Sequence, residues 1–207
     1  MTKIKICGLT QPCDIDYVNE AKPDLCGFII GVPKSRRNVS PEMARRLRGS
    51  LDPAILPVGV FVNAPVEQIT TLVRDGTLSI VQLHGQEDAD YISALRRYIS
   101  VPIIQAFSVR TKADIAAAER SSADHILLDH GSGGTGTAFD WSLLEGTSRP
   151  YILAGGLTPE TLPRAIRRLR PWAVDLSSGV ETDGKKDPGK ILAAVQAVKT
   201  TDMEELS

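Results

Sequence analysis

Two side chains in this chain stand where their chemistry would be useful. Cys7 ends the short apolar run Lys3–Cys7 and is followed at once by Gly8. A thiolate is among the strongest nucleophiles or bases that a side chain supplies without a metal or cofactor. Taken alone, a cysteine is more often buried and inert. Asp129 ends Ile126-Leu127-Leu128-Asp129. A carboxylate after three apolar strand residues either caps a turn or works as an acid with a raised pKa. His84, in Gln82-Leu83-His84-Gly85, either contacts a substrate or bonds a neighbour, and the second is the commoner fate of a lone histidine.

Anion-binding groups come next. Ala154-Gly155-Gly156-Leu157 and Ser177-Ser178-Gly179-Val180 each follow a β-rich run. Glycines at such turns let backbone N–H groups approach a ligand closely, which is how phosphate is commonly held. Tight turns alone account for one such segment but poorly for two, so Gly155, Gly156, Ser178 and Gly179 form a candidate phosphate site. Gly131-Ser132-Gly133-Gly134-Thr135-Gly136 matches a dinucleotide fingerprint in form, but no long helix opens after it, and Thr137 stands where a P-loop needs lysine. It reads instead as a lid or phosphate-contacting loop. Arg36-Arg37 follows the second β-rich run, and beside a phosphate site an arginine there can clamp a second anion such as a carboxylate.

These residues must be carried by elements. Eight β-rich runs alternate with helical patterns: Lys3–Cys7, Leu25–Ile30, Leu56–Val62, Ile80–Leu83, Pro102–Phe107, Ile126–Asp129, Tyr151–Ala154 and Ala173–Leu176. Leu162, Ala165, Ile166 and Leu169 fall at i, i+3, i+4, i+7, and Ser40-Pro41 and Thr158-Pro159 read as helix starts. Alternation fits a doubly wound sheet or a closed (β/α)8 TIM barrel, and the count of eight selects the barrel. With about 26 residues per unit the barrel must be trimmed, leaving little more than one helical turn around Trp141–Glu145. Strand alternation puts Lys5 with Cys7, Gln82 with His84, Leu127 with Asp129, and Asp175 with Ser177 on inward faces. Polar residues thus gather at the C-terminal strand ends, where a barrel keeps its active site, and Asp175 joins His84 as a substrate-binding candidate. No linker divides the chain, so residues 1–207 read as one domain ending in a polar tail from Thr200 to Ser207.

Composition narrows the class. The 24 Lys and Arg balance 25 Asp and Glu, which argues against a nucleic-acid footprint or an anionic membrane surface. Three cysteines without a secretory leader indicate no disulfide framework, and with the three histidines they show no metal-ligand spacing. No apolar stretch is long enough to span a bilayer. The expectation is a cytoplasmic enzyme, monomer or homodimer, acting on a small phosphorylated molecule.

The segments Lys5-Ile6-Cys7-Gly8-Leu9-Thr10, Gly27-Phe28, Ser35-Arg36-Arg37, Val58–Asn63, Gln82-Leu83-His84-Gly85, Leu127-Leu128-Asp129, Gly133–Gly136, Phe139-Asp140-Trp141, Ala154–Leu157 and Val174–Glu181 together resemble the phosphoribosylanthranilate isomerase family of tryptophan biosynthesis. The resemblance implies a (β/α)8 barrel and a cofactor-free Amadori rearrangement. It implies Cys7 as general base, Asp129 as general acid, Arg37 facing the anthranilate carboxylate, and Gly155, Gly156, Ser178 and Gly179 at the phosphate. Lys5 shares the face of Cys7 and is expected to depress its pKa. Ile30-Gly31-Val32-Pro33 departs from the family by lacking an aromatic residue, and His130 stands where a small hydroxyl residue is common. A metal-dependent epimerase would want more His and Asp at strand ends, and a lysine-centred synthase would place Lys at one. A non-catalytic phosphometabolite sensor would be free to lose Cys7 or Asp129.

Overall fold

The computed structural model describes residues 1–129 and 141–205. Eight parallel strands form the frame: β1 (Lys3–Cys7), β2 (Leu25–Ile30), β3 (Leu56–Phe61), β4 (Ile80–Leu83), β5 (Ile103–Ser108), β6 (His125–Asp129), β7 (Tyr151–Leu153) and β8 (Ala173–Leu176). Each strand pairs with the next, and β1 pairs with both β2 and β8, so the sheet closes into a barrel. The helices are α1 (Pro12–Ala21), α2 (Pro41–Gly49), α3 (Val66–Arg74), α4 (Ala89–Arg96), α5 (Lys112–Glu119), α6 (Leu162–Leu169) and α7 (Pro188–Glu205). In the sixth unit the helical part, among the described residues, is the single 3-10 turn Trp141–Leu144. Among the described residues, no helix is long and apolar enough to cross a membrane.

The period-2 alternation of the strands divides the core in two. Outward residues such as Ile4, Ile6, Phe28 and Phe61 pack with helix residues such as Ile15, Leu47 and Ile69. Inside the barrel, Leu25, Val58, Ile80, Ile104, Leu127, Ile152 and Ala173 make a dry layer, closed below by Trp172, which stacks on His125 at 4.2 Å. Above that layer the inward positions turn polar, with Lys5 and Asp175 paired across the neighbouring strands β1 and β8 and Gln82 on β4. The dry layer is the rigid floor on which the polar positions stand.

Local chemistry sets the helix ends. The Ser40 hydroxyl accepts from the Met43 N–H, so Ser40-Pro41 opens α2 as the sequence indicates. Thr158-Pro159 behaves differently. The Thr158 carbonyl accepts from the N–H groups of Thr161 and Leu162, so a turn intervenes and α6 starts at Leu162. The segment expected as a polar tail continues α7 as far as Glu205. It is pinned there because the Asp202 carboxylate accepts from the Thr2 N–H at 2.6 Å and the Thr2 hydroxyl at 3.1 Å. Two small elements carry no sequence signal. Asn38–Val39 runs parallel to β2, and a hairpin pairs Glu181–Thr182 with Lys185–Lys186 just after β8.

Candidate active site

A cavity of about 820 Å³ opens at the C-terminal ends of the strands. Cys7, His84, Asp129, Arg37, Asp175, Gly155, Gly156, Ser178 and Gly179 all line it, so every site residue read from the sequence reaches one mouth. The loop 131–136 and His130 lie outside the described residues. Among the described residues, no cluster of three His, Cys, Asp or Glu side chains is placed to hold a metal ion.

Cys7 is buried and lies beside a buried ion pair. The Lys5 ammonium, with no exposed surface, donates to both carboxylate oxygens of Asp175 at 2.9 and 3.0 Å. Burial opposes the charge on Lys5, but Asp175 and Cys7 outweigh it and raise the lysine's pKa. For Cys7 the balance differs from the expectation of a depressed thiol. Burial pushes the thiol up, Lys5 pulls it down, Asp175 adds to the rise, and the net direction is upward. Lys5 therefore limits the rise rather than reversing it. Gly27, opposite Cys7 in register, makes room for this pair: a Cβ there would sit 2.8 Å from Cys7 Sγ and 3.2 Å from Lys5 Nζ.

On the far wall, Gln82 Nε2 lies 2.9 Å from His84 Nδ1, and His84 Nε2 lies 4.0 Å from the Asp129 carboxylate. Burial lowers the His84 pKa, with Asp129 opposing, so the imidazole is neutral at pH 7. His84 thus bonds a neighbour and lines the cavity at once. Asp129 sits beside Ser108 in the β5–β6 register, at the last rung of the barrel.

Arg37 crosses the mouth next to Cys7. Its stem lies where a Cβ on Gly8 would be, 2.4 Å from Arg37 Cδ, and Gly8 also holds φ at 80°. Only glycine satisfies both demands. The guanidinium is met by Glu181, whose carboxylate accepts from Arg37 Nε at 2.6 Å and Nη2 at 2.8 Å. Arg36 and Lys186 donate to the same carboxylate at 2.6 and 2.9 Å. Burial pushes the Glu181 carboxyl up, but the hydrogen bonds and charges of Arg37 and Lys186 prevail and hold it at about 2. Ile29, Val32, Val60 and Val62 complete this side as an aliphatic wall.

The two glycine segments line the same cavity. Gly155 and Gly156 take φ of 92° and 66°, turning the chain sharply after β7. Gly179 is packed so closely that a Cβ would fall 1.8 Å from the Leu157 carbonyl oxygen. Among the described residues, none accepts a hydrogen bond from the N–H of Gly155, Gly156, Ser178 or Gly179. The result is a concave set of backbone donors suited to an anion.

Sequence reasoning missed the second rank of the site. Glu181 and Lys186 lie beyond the last strand, where no alternation applies, and Gly8 and Gly27 gave no hint of what they pack against. The proximity of Glu181 to the Arg36-Arg37 pair requires β8 to close on β1, which no local pattern reports.

Comparisons with known proteins agree with this geometry. The sequence model of the family described as N-(5'-phosphoribosyl)anthranilate (PRA) isomerase matches residues 4–197. A protein of Endomicrobium trichonymphae named N-(5'-phosphoribosyl)anthranilate isomerase is 44% identical over 204 residues, 97% of this chain and all of its own. The crystal structure of phosphoribosyl anthranilate isomerase from Thermotoga maritima superposes with a TM-score of 0.87 at 38% identity, covering 97% of this chain and 100% of that one. A second solved phosphoribosyl anthranilate isomerase, in complex with reduced 1-(o-carboxyphenylamino)-1-deoxyribulose 5-phosphate, gives 0.84 at 38% identity with the same coverage. A closed parallel barrel of this topology, matched along nearly its whole length, belongs to the N-(5'-phosphoribosyl)anthranilate isomerase family.

Proposed function

We propose that the cavity converts N-(5'-phosphoribosyl)anthranilate to 1-(2-carboxyphenylamino)-1-deoxyribulose 5-phosphate, with Asp129 as general acid and Cys7 as general base. The supporting observation is that a thiol and a carboxyl group on different strand ends share one cavity flanked by two anion-binding regions. The phosphate occupies the donors of Gly155, Gly156, Ser178 and Gly179. The anthranilate carboxylate faces Arg37, with the ring against Ile29, Val32, Val60 and Val62.

The chemistry requires two groups. Asp129 gives its proton to the furanose ring oxygen, the C1–O bond breaks, and the amine lone pair forms a protonated Schiff base. The Cys7 thiolate then removes the C2 proton, and the C–H electrons flow toward the iminium to give an enolamine. Protonation at C1 and loss of the hydroxyl proton at C2 deliver the ketone, so substrate and product are isomers. Each proton transfer needs a positioned acid or base. His84, neutral beside Asp129, and Asp175, held by Lys5, line the same space and contact the sugar.

The direct test follows the fluorescence of phosphoribosylanthranilate on addition of the purified chain. The expected result is loss of substrate with first-order dependence on enzyme and formation of the ribulose phosphate. A folded chain that binds the reduced product analogue but leaves the substrate intact would instead be a phosphometabolite-binding barrel.

The phosphate assignment has its own test. Gly179→Ala forces a methyl group against the Leu157 carbonyl and drives the two donor segments apart. KM is expected to rise by about tenfold or more with a smaller change in kcat, because phosphate is held equally in ground and transition states. An unchanged KM in the folded variant removes the phosphate from this cradle.

A further inference from the structure

Arg37 has five N–H donors in a planar fork, and Glu181 takes a particular pair of them. The Nε and Nη2 groups, which share the side edge of the guanidinium, donate to Oε1 and Oε2 at 2.6 and 2.8 Å. The end edge, Nη1 and the second Nη2 hydrogen, donates to no acceptor among the described residues. Arginine binds a carboxylate through either edge. With one edge filled by the protein, the other is the edge left for an incoming anion. The stem is confined from below, since Arg37 Cδ rests where a Cβ of Gly8 would be. Glu181 and Gly8 between them leave the guanidinium little freedom to turn.

Glu181 is tied in its turn to the segment after β8 that carries the phosphate donors. Lys186, its hairpin partner, has a nearly buried ammonium that donates to Glu181 Oε1 and to the Ser177 carbonyl, both at 2.9 Å. Ser177 precedes the Ser178-Gly179 donors, and its hydroxyl donates to the Cys7 carbonyl at 3.1 Å. An unbroken chain of polar contacts thus runs Arg37, Glu181, Lys186, Ser177. Three cations share one carboxylate, so the cluster stays positive overall and remains attractive to an anion.

We infer that Glu181 is a positioning residue which, braced by Lys186, aims the end edge of Arg37 at the substrate carboxylate and sets its separation from the phosphate cradle. The inference rests on the reading of Arg37 as the carboxylate clamp. It assigns specificity for a ligand with two anionic ends to a residue that touches neither end. A carboxylate clamp left to a free surface arginine would lose the side-chain entropy of ordering on every binding event, whereas a pre-aimed fork does not.

The test uses two ligands, the reduced product analogue and its counterpart without the ring carboxylate, with inorganic phosphate as a third probe. Their dissociation constants are measured by calorimetry for the wild type, Arg37→Ala, Glu181→Gln and Glu181→Asp. The ratio of the first two constants is the carboxylate preference. Arg37→Ala is expected to remove that preference. Glu181→Gln is expected to reduce it by about 10- to 100-fold, the scale of a charge-assisted hydrogen-bond pair, with phosphate affinity held within about twofold. Glu181→Asp, a shorter carboxylate, is expected to fall between, and it carries the test alone if the glutamine variant does not fold. If Arg37→Ala keeps the preference, the clamp reading fails and this inference with it. If Arg37→Ala loses it while the Glu181 variants keep it, the positioning role alone is overturned. Equal loss of phosphate affinity in the Glu181 variants marks a general collapse of the mouth and also overturns it.

Discussion

Cys7→Ser is expected to lower turnover by roughly 10³–10⁴-fold with the barrel intact, the upper range for one positioned base. A serine hydroxyl fits the space beside Gly27 but cannot supply its anion near neutral pH. The thiol itself starts from an unfavourable position, because burial outweighs Lys5 and raises its pKa above the ordinary range. The sign follows directly: at pH 7 the thiol is mostly protonated, and the reactive thiolate grows as pH rises. Alkylation of Cys7 by iodoacetamide should therefore quicken about tenfold per pH unit through the neutral range. Lys5→Met should move that limb to still higher pH, since it removes the cation that opposes burial. Cys13 is half-buried and will alkylate too, so the measurement belongs in a Cys13→Ser background. Cys26 has no exposed surface, and Cys26→Ser should cost stability, about 1–3 kcal/mol for a buried hydroxyl, without changing turnover per folded molecule. Full activity of Cys7→Ser, or inactivation that follows Cys13, would sink the assignment of the base.

Asp129→Asn is expected to cost about 10²–10⁴-fold in turnover, since the amide is nearly isosteric and has no proton of useful acidity to give. Binding of the reduced product analogue should change little, because the analogue asks nothing of an acid. His84 is the nearest substitute donor, 4.0 Å from the carboxylate. Burial lowers its pKa, which disfavours the imidazolium and makes it a poor replacement for the acid. Circular dichroism and thermal melting of the variant separate lost chemistry from lost fold. Normal turnover by a folded Asp129→Asn chain would move the acid to His84 or another group.

Local patterns determined much of this protein. Period-2 alternation placed Lys5, Cys7, Gln82, His84, Asp129 and Asp175 inside the barrel, because successive strand residues face opposite ways whatever surrounds them. The Ser40-Pro41 cap, the short sixth unit and the glycine turns after β7 and β8 were equally local, and each was legible from neighbours in the chain. The start of α6 was not, since a turn and a helix both begin with Thr-Pro and the choice fell to the bonds of the Thr158 carbonyl. Tertiary structure decided whatever joins distant segments. Closure of β8 onto β1 brings Asp175 to Lys5 and carries the Glu181–Lys186 hairpin across to Arg37, contacts that span 170 and 144 residues. It also reversed the expectation for the Cys7 thiol: sequence shows that a lysine shares its face, but only packing shows how completely water is excluded, and that exclusion outweighs the lysine's charge. Even the last residues follow this division, for Thr200–Glu205 reads as polar tail until Asp202 is seen to cap the first strand through Thr2. A side chain's direction is a property of its own backbone, whereas its partner and its dielectric surroundings are properties of the closed barrel.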